Sequence, residues 1–150
     1  MIVEAVPEDK VPVIRLLEQS HHSAGFDNDE GGFCFPFDPA YAERLFLEHL
    51  MPGRLCLVLK SDDVARGVLM ATAAEHPFGQ VRIARETVWF INPSHRGISS
   101  VKMLDAYEAW ARDHGCQFVG MAGMGAHPDV AKLYERRGYR PAERHFLKAI

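Results

Sequence analysis

The sequence predicts a single domain of the mixed α/β (α+β) class, in which helices flank a mixed sheet. Its 150 residues match the common size of one domain, and no repeat, low-complexity tract or Pro/Ser-rich linker divides them. Hydrophobic residues make up 47% and charged residues 25%, as in ordinary globular proteins. Segments typical of strands and helices follow one another in the order β-α-α-β-β-β-α-β-α-β.

The first third of the chain predicts a strand, two helices and a long loop between the helices. Residues 2–6 form the strand, and a helix follows over residues 7–19, with proline and two acidic residues in its first turn. Residues 21–37 show no clear period, and a loop of this length in a small domain is usually functional or mobile. Asp38 and Pro39 then make a favourable N-cap and first turn for a second helix.

The middle of the chain predicts three strands in a meander, over residues 55–60, 65–74 and 81–91. Turn signals separate them at residues 62–63 and 77–79. The third strand is rich in β-branched and aromatic residues, which favour a pleated, half-buried surface.

The last third predicts a long helix, a strand, a short helix and a final stretch of strand. The long helix covers residues 97–114 and ends at Gly115, which suits a left-handed C-cap. Residues 116–121 form the strand, which we expect to return parallel to the last strand of the meander. Residues 128–137 form the short helix, and residues 139–149 supply one or two further strands.

Composition argues against several classes of protein. A formal net charge of −3 is unlike a general nucleic-acid-binding domain. Three scattered cysteines without a C-x-x-C pair predict neither a disulfide framework nor a zinc site, and no bound metal is expected. The first residues lack the pattern of a secretory signal, and no apolar run approaches the ~20 residues that cross a bilayer. We therefore expect a cytoplasmic protein that binds neither nucleic acid nor membrane.

Residues 88–100 (VWFINPSHRGISS) are the most informative segment. A strand ends here, a proline breaks the ladder, and a turn with Arg96 and Gly97 leads directly into a helix. The first-turn N–H groups of a helix have no internal partner, and the helix dipole favours negative charge there. With Arg96 and the hydroxyls of Ser99 and Ser100, they form a site suited to a phosphate or pyrophosphate. The alternative is that the serines only cap the helix and that Arg96 is solvated.

Three segments follow in a specific order: residues 5–9 (AVPED), residues 91–97 (INPSHRG) and residues 127–139 (HPDVAKLYERRGY). Together they resemble the GNAT superfamily of N-acetyltransferases over nearly the whole chain. The first resembles its opening strand and helix, the second its R-G loop before the pyrophosphate-binding helix, and the third its N-x-x-A-x-x-x-Y-E-x-x-G-F pattern. The resemblance implies a mostly antiparallel sheet whose central parallel strand pair is splayed for the cofactor.

The resemblance implies transfer of an acyl group, usually acetyl, from acetyl-CoA to an amine of a small molecule, a protein or a peptide. In this family the amine attacks the thioester directly, so catalysis reduces to positioning and proton transfer. Pantetheine would lie between the strand that ends at Ile91 and the strand over residues 116–121. The cofactor-binding residues implied are Phe90, Ile91, Arg96, Gly97, Ile98, Ser99, Ser100, Val101, His127 and Tyr134.

Two residues are candidates for the proton transfers. Tyr134 occupies the position where the family often places the donor to the departing thiolate, and a phenol is protonated at neutral pH. Glu86, with Glu75 as second choice, lies on the meander, where the family commonly places its base. The alternatives are that Tyr134 is a core aromatic and that Glu86 is a solvated carboxylate paired with Arg82 or Arg85.

The acidic stretch over residues 27–30 (DNDE) falls where the family builds much of its acceptor site. Clustered carboxylates attract a cationic amine, and nearby phenylalanines can wall a pocket or contact the cation. The substrate-binding residues implied are Phe26, Asp27, Asp29, Glu30 and Phe33. The alternative is a solvated, mobile loop with a hydrophobic anchor.

Three positions depart from the family pattern. Ser99 and Val101 stand where the phosphate loop has small residues, and His127 stands where asparagine is frequent. The departures at Ser99 and Val101 motivate a second hypothesis, a catalytically silent GNAT-like domain that serves as a binding or assembly module. A homodimer is a common outcome for small proteins and is compatible with both hypotheses.

Overall fold

The computed structural model describes residues 1–28, 33–124 and 128–150, and in these ranges it contains five strands and four α-helices. The strands are β1 (Ile2–Glu4), β2 (Arg54–Ser61), β3 (Val64–Glu75), β4 (Arg82–Ile91) and β5 (Phe118–Gly120). The helices are α1 (Lys10–Ser23), α2 (Pro39–Glu48), α3 (Ile98–Asp113) and α4 (Ala131–Arg136). Short 3₁₀ helices lie at Pro7–Asp9 and Pro93–His95.

The strands form one sheet in the order β1-β2-β3-β4-β5. Each of the first four strands pairs antiparallel with its neighbour, whereas β5 pairs parallel to β4. The parallel pairing arises because α3 carries the chain back along the sheet before β5 begins. The predicted mixed α/β class, the meander and the parallel return are therefore confirmed.

Helices cover both faces of the sheet, and the alternation of side chains along β2 divides the core in two. Leu55, Leu57 and Leu59 face α3, whereas Cys56 and Val58 face α1 and α2. Other core residues on the α3 side include Leu69, Met103, Leu104 and Tyr107, and those on the α1 side include Val13, Leu16, Phe46 and Val68. Because both of its faces are buried, β2 is a continuous apolar run rather than an alternating one.

The caps that the local sequence predicts are present at the start of α2 and the end of α3, whereas the end of α1 is an exception. Asp38 Oδ1 accepts the backbone N–H two residues on at 2.9 Å, which is the predicted N-cap of α2. Gly115 follows α3 with a φ of 71°, as expected for a left-handed residue. The exception is α1, which continues beyond its predicted end to Ser23, so that His21 and His22 are helical residues.

The predicted strands over residues 139–149 are wrong. No strand is present there, and Phe146 and Leu147 are 89% and 73% exposed. The stretch contains no valine, isoleucine or threonine and includes Pro141, so its intrinsic preference for strand is low.

Three other elements are shorter than predicted, among them β1, which ends at Glu4 rather than at Val6. β5 covers only the middle of the predicted strand over residues 116–121, and α4 begins at Ala131 rather than Pro128. Pro128 belongs to a preceding turn, in which its carbonyl accepts the N–H of Ala131 at 3.0 Å.

Within the described ranges, none of the helices combines the length and apolar composition needed to span a membrane. The same part of the chain shows no grouping of three or more His, Cys, Asp or Glu side chains that could hold a metal ion.

Candidate functional site

β4 and β5 pair over only three residues and then separate. The last pair joins Arg85 to Gly120. β4 continues over residues 86–91, where its pairing is with β3 on the other side. In the described part of the chain, the edge of β4 beyond Arg85 is therefore not covered by a strand.

A β-bulge in β4 decides which of its side chains face α3 and α4. The register with β3 shifts here and leaves Thr87 as an extra residue. Ala84 before the bulge and Ile91 after it both lie in the core beneath α3, although residues seven apart would face opposite sides of a regular strand. Glu86, two residues after Ala84, lies on this side by regular alternation, and the bulge brings Trp89 to the same side.

Glu86 is a half-buried carboxylate at the point where β4 and β5 separate. Its Oε2 accepts the N–H of Ala122 at 2.9 Å. Burial raises the pKa of Glu86 to about 7, although the bond from Ala122 acts in the opposite direction. The neighbouring arginines have other partners, because Arg82 donates to the carbonyl that follows α3 and Arg85 lies 3.8 Å from Glu143.

Tyr134, which lies on α4, hydrogen-bonds to the main chain of Ala122, the residue that also donates to Glu86. Its hydroxyl donates to the carbonyl of Ala122 at 2.9 Å, and the N–H of Ala122 is the donor to Glu86. The side chain is 8% exposed, and its ring centroid lies 6.1 Å from that of Trp89. Burial, with the nearby Glu86 carboxylate, raises the pKa of Tyr134, so the hydroxyl keeps its proton at neutral pH. The two predicted catalytic residues therefore meet at Ala122.

Trp89 adds a polar atom that the sequence did not reveal. Its Nε1 is buried and has no hydrogen-bond acceptor among the described residues. Leaving a buried donor unpaired costs about 1–3 kcal/mol, so a ligand atom that accepts from it would gain that energy back. A tryptophan in a strand predicts burial of the ring, but nothing in the sequence shows whether its N–H will find a partner.

The first turn of α3 presents free main-chain donors. Gly97 precedes the helix with a φ of 88°, and its carbonyl accepts the N–H groups of Ser100 at 3.0 Å and Val101 at 3.4 Å. Ile98 and Ser99 precede these two donors, so their N–H groups have no acceptor within the helix, and no side chain caps it. Free donors at the positive end of the helix dipole are the elements of an anion site.

Arg96 lies between this helix start and the end of β4. Its Nε donates to the carbonyl of Ile91 at 3.0 Å, and in the described chain no carboxylate pairs with its guanidinium. The side chain of Val101, in the first turn of α3, is 37% exposed. Phe90 places its side chain in the core beneath α1, so only its main chain can serve the open edge of β4.

A cavity of about 920 Å³ lies on the opposite face of the sheet, between the end of α1, the loop before α2 and the end of β4. Its walls include Glu18, His22, Asp27, Phe35, Phe37 and Phe90. Acidic and aromatic side chains thus share one concave surface.

Aromatic rings around His21 hold the loop before α2. His21 Nε2 donates to the carbonyl of Phe35 at 2.7 Å, and its ring lies 5.0–5.7 Å from those of Phe26, Phe35 and Phe37. Phe33 packs on Phe26 and Phe35 at 5.3 and 5.4 Å. Two predicted substrate-binding residues, Phe26 and Phe33, therefore support Phe35, which lines the cavity.

The cavity contains two acidic side chains with different surroundings. Asp27 hydrogen-bonds to Nδ1 of His22, and this bond raises the pKa of His22 and lowers the pKa of Asp27. Glu18 has no ion-pair partner within the described ranges. Sequence reasoning missed Glu18 because the residue lies in a helix rather than in the acidic loop.

Three of the predicted residues fall outside the part of the chain that the structure describes, and one described residue lies away from both sites. Asp29, Glu30 and His127 lie outside the described residues. Glu75 is exposed at the end of β3 opposite Arg82, away from the point where β4 and β5 separate.

Comparison with known proteins agrees with this architecture. The model of the acetyltransferase (GNAT) family matches residues 19–139. A search of curated protein sequences gives no significant match.

Among solved structures, the chain is similar to the ribosomal-protein-alanine N-acetyltransferase of Brucella melitensis biovar Abortus 2308, with 17% identity, a TM-score of 0.74, and 100% of this chain and 99% of that chain covered. It is similar to an aminoglycoside antibiotic 6'-N-acetyltransferase of Acinetobacter haemolyticus, with 18% identity, a TM-score of 0.73 and coverage of 100% and 99%. A predicted acetyltransferase of Clostridium acetobutylicum, solved with acetyl-CoA, has 12% identity, a TM-score of 0.77 and coverage of 99% and 95%. These likenesses show a common fold. Because the family match spans most of the sequence, the chain belongs to the GNAT acetyltransferase family.

Proposed function

We propose that this protein transfers the acetyl group of acetyl-CoA to a primary amine of a small molecule, a protein or a peptide. The observation that carries the proposal is the uncovered edge of β4 beyond Arg85. Glu86, Trp89 and Tyr134 lie on one side of the sheet at this edge, and the acidic cavity lies on the other. Among the described residues, no strand separates the two faces of the sheet beyond this edge. An acyl donor can therefore approach from one face and an amine from the other.

The groups around this edge fit acetyl-CoA. The free N–H groups of Ile98 and Ser99, with the guanidinium of Arg96, would hold the pyrophosphate. The edge of β4 beyond Arg85, which no described strand covers, would bind the pantetheine amides through its main chain. When bound, acetyl-CoA supplies the acetyl group as a thioester.

The cavity supports a cationic amine as the acceptor. Glu18 and Asp27 place negative charge in its wall, which raises the local concentration of cations. Phe35, Phe37 and Phe90 provide aromatic surface for the carbon skeleton or for the ammonium group itself.

Glu86 has the properties of the base. Oε2 is held by the N–H of Ala122, so Oε1 is the oxygen left to accept a proton from the ammonium group. With a pKa of about 7, the carboxylate is substantially ionised at neutral pH and is still basic enough to take that proton. Removing the proton leaves the amine nitrogen with a lone pair for attack.

Tyr134 has the properties of the acid. Its hydroxyl keeps the proton at neutral pH and donates it to the carbonyl of Ala122. A negative charge that develops on the departing thiolate sulfur is a stronger acceptor than a carbonyl, so the hydrogen bond from this hydroxyl exchanges partners and stabilises that charge.

Binding and transfer by the purified protein test the proposal. We expect acetyl-CoA to bind in calorimetry and to raise the melting temperature, and amines incubated with protein and acetyl-CoA to gain the mass of one acetyl group. Mass detection avoids thiol reagents, which would also label the exposed Cys34. If millimolar acetyl-CoA neither binds nor raises the melting temperature, the proposal fails. Binding without transfer to any amine would favour the silent binding module instead.

A further inference from the structure

Glu108 of α3 is a largely buried carboxylate that takes no part in the proposed chemistry. Its side chain is 16% exposed. Its Oε1 accepts from two nitrogens of Arg137, Nε at 3.2 Å and Nη2 at 3.0 Å, and from the hydroxyl of Tyr139 at 3.1 Å. Its Oε2 lies 3.7 Å from the guanidinium of Arg112, one turn further along α3. One oxygen of Glu108 therefore binds two residues that follow α4.

Both of these residues are also bonded to the main chain of Tyr134. The carbonyl of Tyr134 accepts the N–H groups of Arg137 and Tyr139, each at 3.0 Å. Gly138, between them, has a φ of 87°, the left-handed conformation that commonly ends a helix. The rings of Tyr134 and Tyr139 lie 5.6 Å apart. The Glu108 carboxylate is thus connected to Tyr134 by two routes, each through a single intervening residue.

The shortness of α4 makes such a connection important. The helix has six residues, and a helix of this length is not stable by itself in water. Val130 and Leu133 pack against the core on the α3 side, but apolar packing is not directional. Among the described residues, the side-chain hydrogen bonds that join residues 131–139 to α3 all end on Glu108 and Asp105, and Asp105 is 59% exposed. Glu108 therefore provides the buried directional contact for this segment.

We propose that Glu108 is a positioning residue, which holds Arg137 and Tyr139 and so keeps the hydroxyl of Tyr134 at the carbonyl of Ala122. The inference rests on the proposed function, in which Tyr134 is the acid. Without the Glu108 carboxylate, Arg137 retains its bond to Asp105 and Tyr139 loses its acceptor. We therefore expect α4 to persist, with the Tyr134 hydroxyl displaced from Ala122 for part of the time.

The exchange of the Tyr134 hydroxyl proton with water, followed by NMR in the ligand-free protein, reports its position. The hydroxyl of Tyr107 is an internal reference, because it donates from α3 to the carbonyl of Gly120 at the same 2.9 Å. A local displacement of Tyr134 accelerates one exchange, whereas a loss of global stability accelerates both. In Glu108→Ala we expect the rate at Tyr134 to rise roughly tenfold relative to the rate at Tyr107.

Kinetics in two backgrounds provide a second test. Glu108→Ala should lower kcat roughly three- to tenfold, with KM for acetyl-CoA within roughly twofold of the wild type. In the Tyr134→Phe background, the same substitution should change kcat by less than about twofold, because the hydroxyl through which Glu108 acts is already absent. Glu108→Gln keeps an acceptor oxygen and should recover most of the loss. Asp113→Ala, which removes an exposed carboxylate of the same helix, should behave like the wild type.

The outcomes separate the inference from the function on which it rests. Faster exchange at Tyr134 alone, in a protein that acetylates no amine, would sustain the positioning role and refute the proposed function. Equal acceleration at Tyr134 and Tyr107, or an equal fall in kcat in both backgrounds, would show a merely structural bond and overturn the inference. Tyr139→Phe removes one bond to Glu108 and keeps the ring, so it provides the same comparison should Glu108→Ala fail to fold.

Discussion

The two faces of the sheet hold sites that are built in different ways. On the α3 side, the site depends on main-chain features: the bulge that brings Trp89 to the side of Glu86, the end of a strand ladder and both polar groups of Ala122. On the α1 side, the cavity depends on side chains, namely the rings around His21 and the bond from His22 to Asp27. Main-chain geometry tolerates substitution, whereas a cavity made of side chains changes with each one. We expect the first face to perform the common chemistry and the second to select the amine.

Among the substitutions that test this division of roles between the two faces, we expect the largest effect on kcat at Glu86. Glu86→Gln keeps the acceptor for the N–H of Ala122 and removes the base, so kcat should fall by roughly a hundredfold or more, with little change in KM for the amine. Steady-state kinetics with Glu75→Gln, an exposed glutamate of the same sheet, provide the control. An unchanged kcat would place the base elsewhere.

The pH dependence of kcat in the wild-type protein also tests the role of Glu86 as the base. Glu86 accepts a proton only when it is ionised, so kcat should be low below its pKa of about 7, rise as the pH passes through that value and level off above it. The residual activity of Glu86→Gln, measured over the same range, should lack this step. A profile that falls with rising pH through neutrality would have the wrong sign for a base.

Charge reversal at the start of α3 should have the next largest effect. Arg96→Glu removes one charge-assisted contact to an anion, which contributes about 2 kcal/mol, so affinity for acetyl-CoA should fall roughly thirtyfold in calorimetry. Arg15→Glu, on an exposed part of α1, makes the same change of charge as a control. Equal affinity in the two variants would contradict the anion site.

A smaller effect is expected at Tyr134. Tyr134→Phe keeps the ring and removes the proton donor, so kcat should fall about tenfold while acetyl-CoA affinity stays nearly constant. Tyr107→Phe is a matched control, because the Tyr107 hydroxyl donates to the carbonyl of Gly120 at the same 2.9 Å. Each variant should lose about 1 kcal/mol of stability with its hydrogen bond. An equal loss of kcat in both would reduce Tyr134 to a structural role.

The smallest effects are expected in the cavity. Glu18→Gln should raise KM for a cationic amine roughly two- to fivefold, as for one exposed charge, without changing kcat or acetyl-CoA affinity. Asp27→Asn should change KM less, because His22 partly offsets the Asp27 charge once the imidazole is protonated. High salt should weaken amine binding in the same way. A change in kcat alone would contradict the division between the two faces.

Local signals made the α3 side the more predictable of the two. A strand, a proline and a glycine lead into a helix, and this order is enough to place Arg96 and Gly97. The bulge at Thr87 was out of reach, because Glu-Thr-Val is compatible with either alternation until the register with β3 is known. The unpaired N–H of Trp89 likewise depends on neighbours that are distant in the sequence.

Long-range contacts limited prediction on the α1 side and at the end of the chain. Asp27 was found from its acidic neighbours, whereas Glu18 lies in a helix that nothing local connects to a cavity. Near the end of α1, His21 donates a hydrogen bond to the carbonyl of Phe35. The sequence between these two residues has no helix or strand periodicity, so nothing local predicts this bond. The wrongly predicted strands over residues 139–149 show the converse, since a few aromatic and aliphatic residues among charged ones do not supply a partner edge for a strand.

Ala122 joins a carboxylate to a phenol without using its side chain. Any amino acid with a backbone N–H can make both bonds, and proline is the exception because it lacks that donor. A saturation library at position 122 should therefore accept many small residues and reject proline. An alignment would show such a position as variable, and conservation would overlook the residue that joins the two side chains.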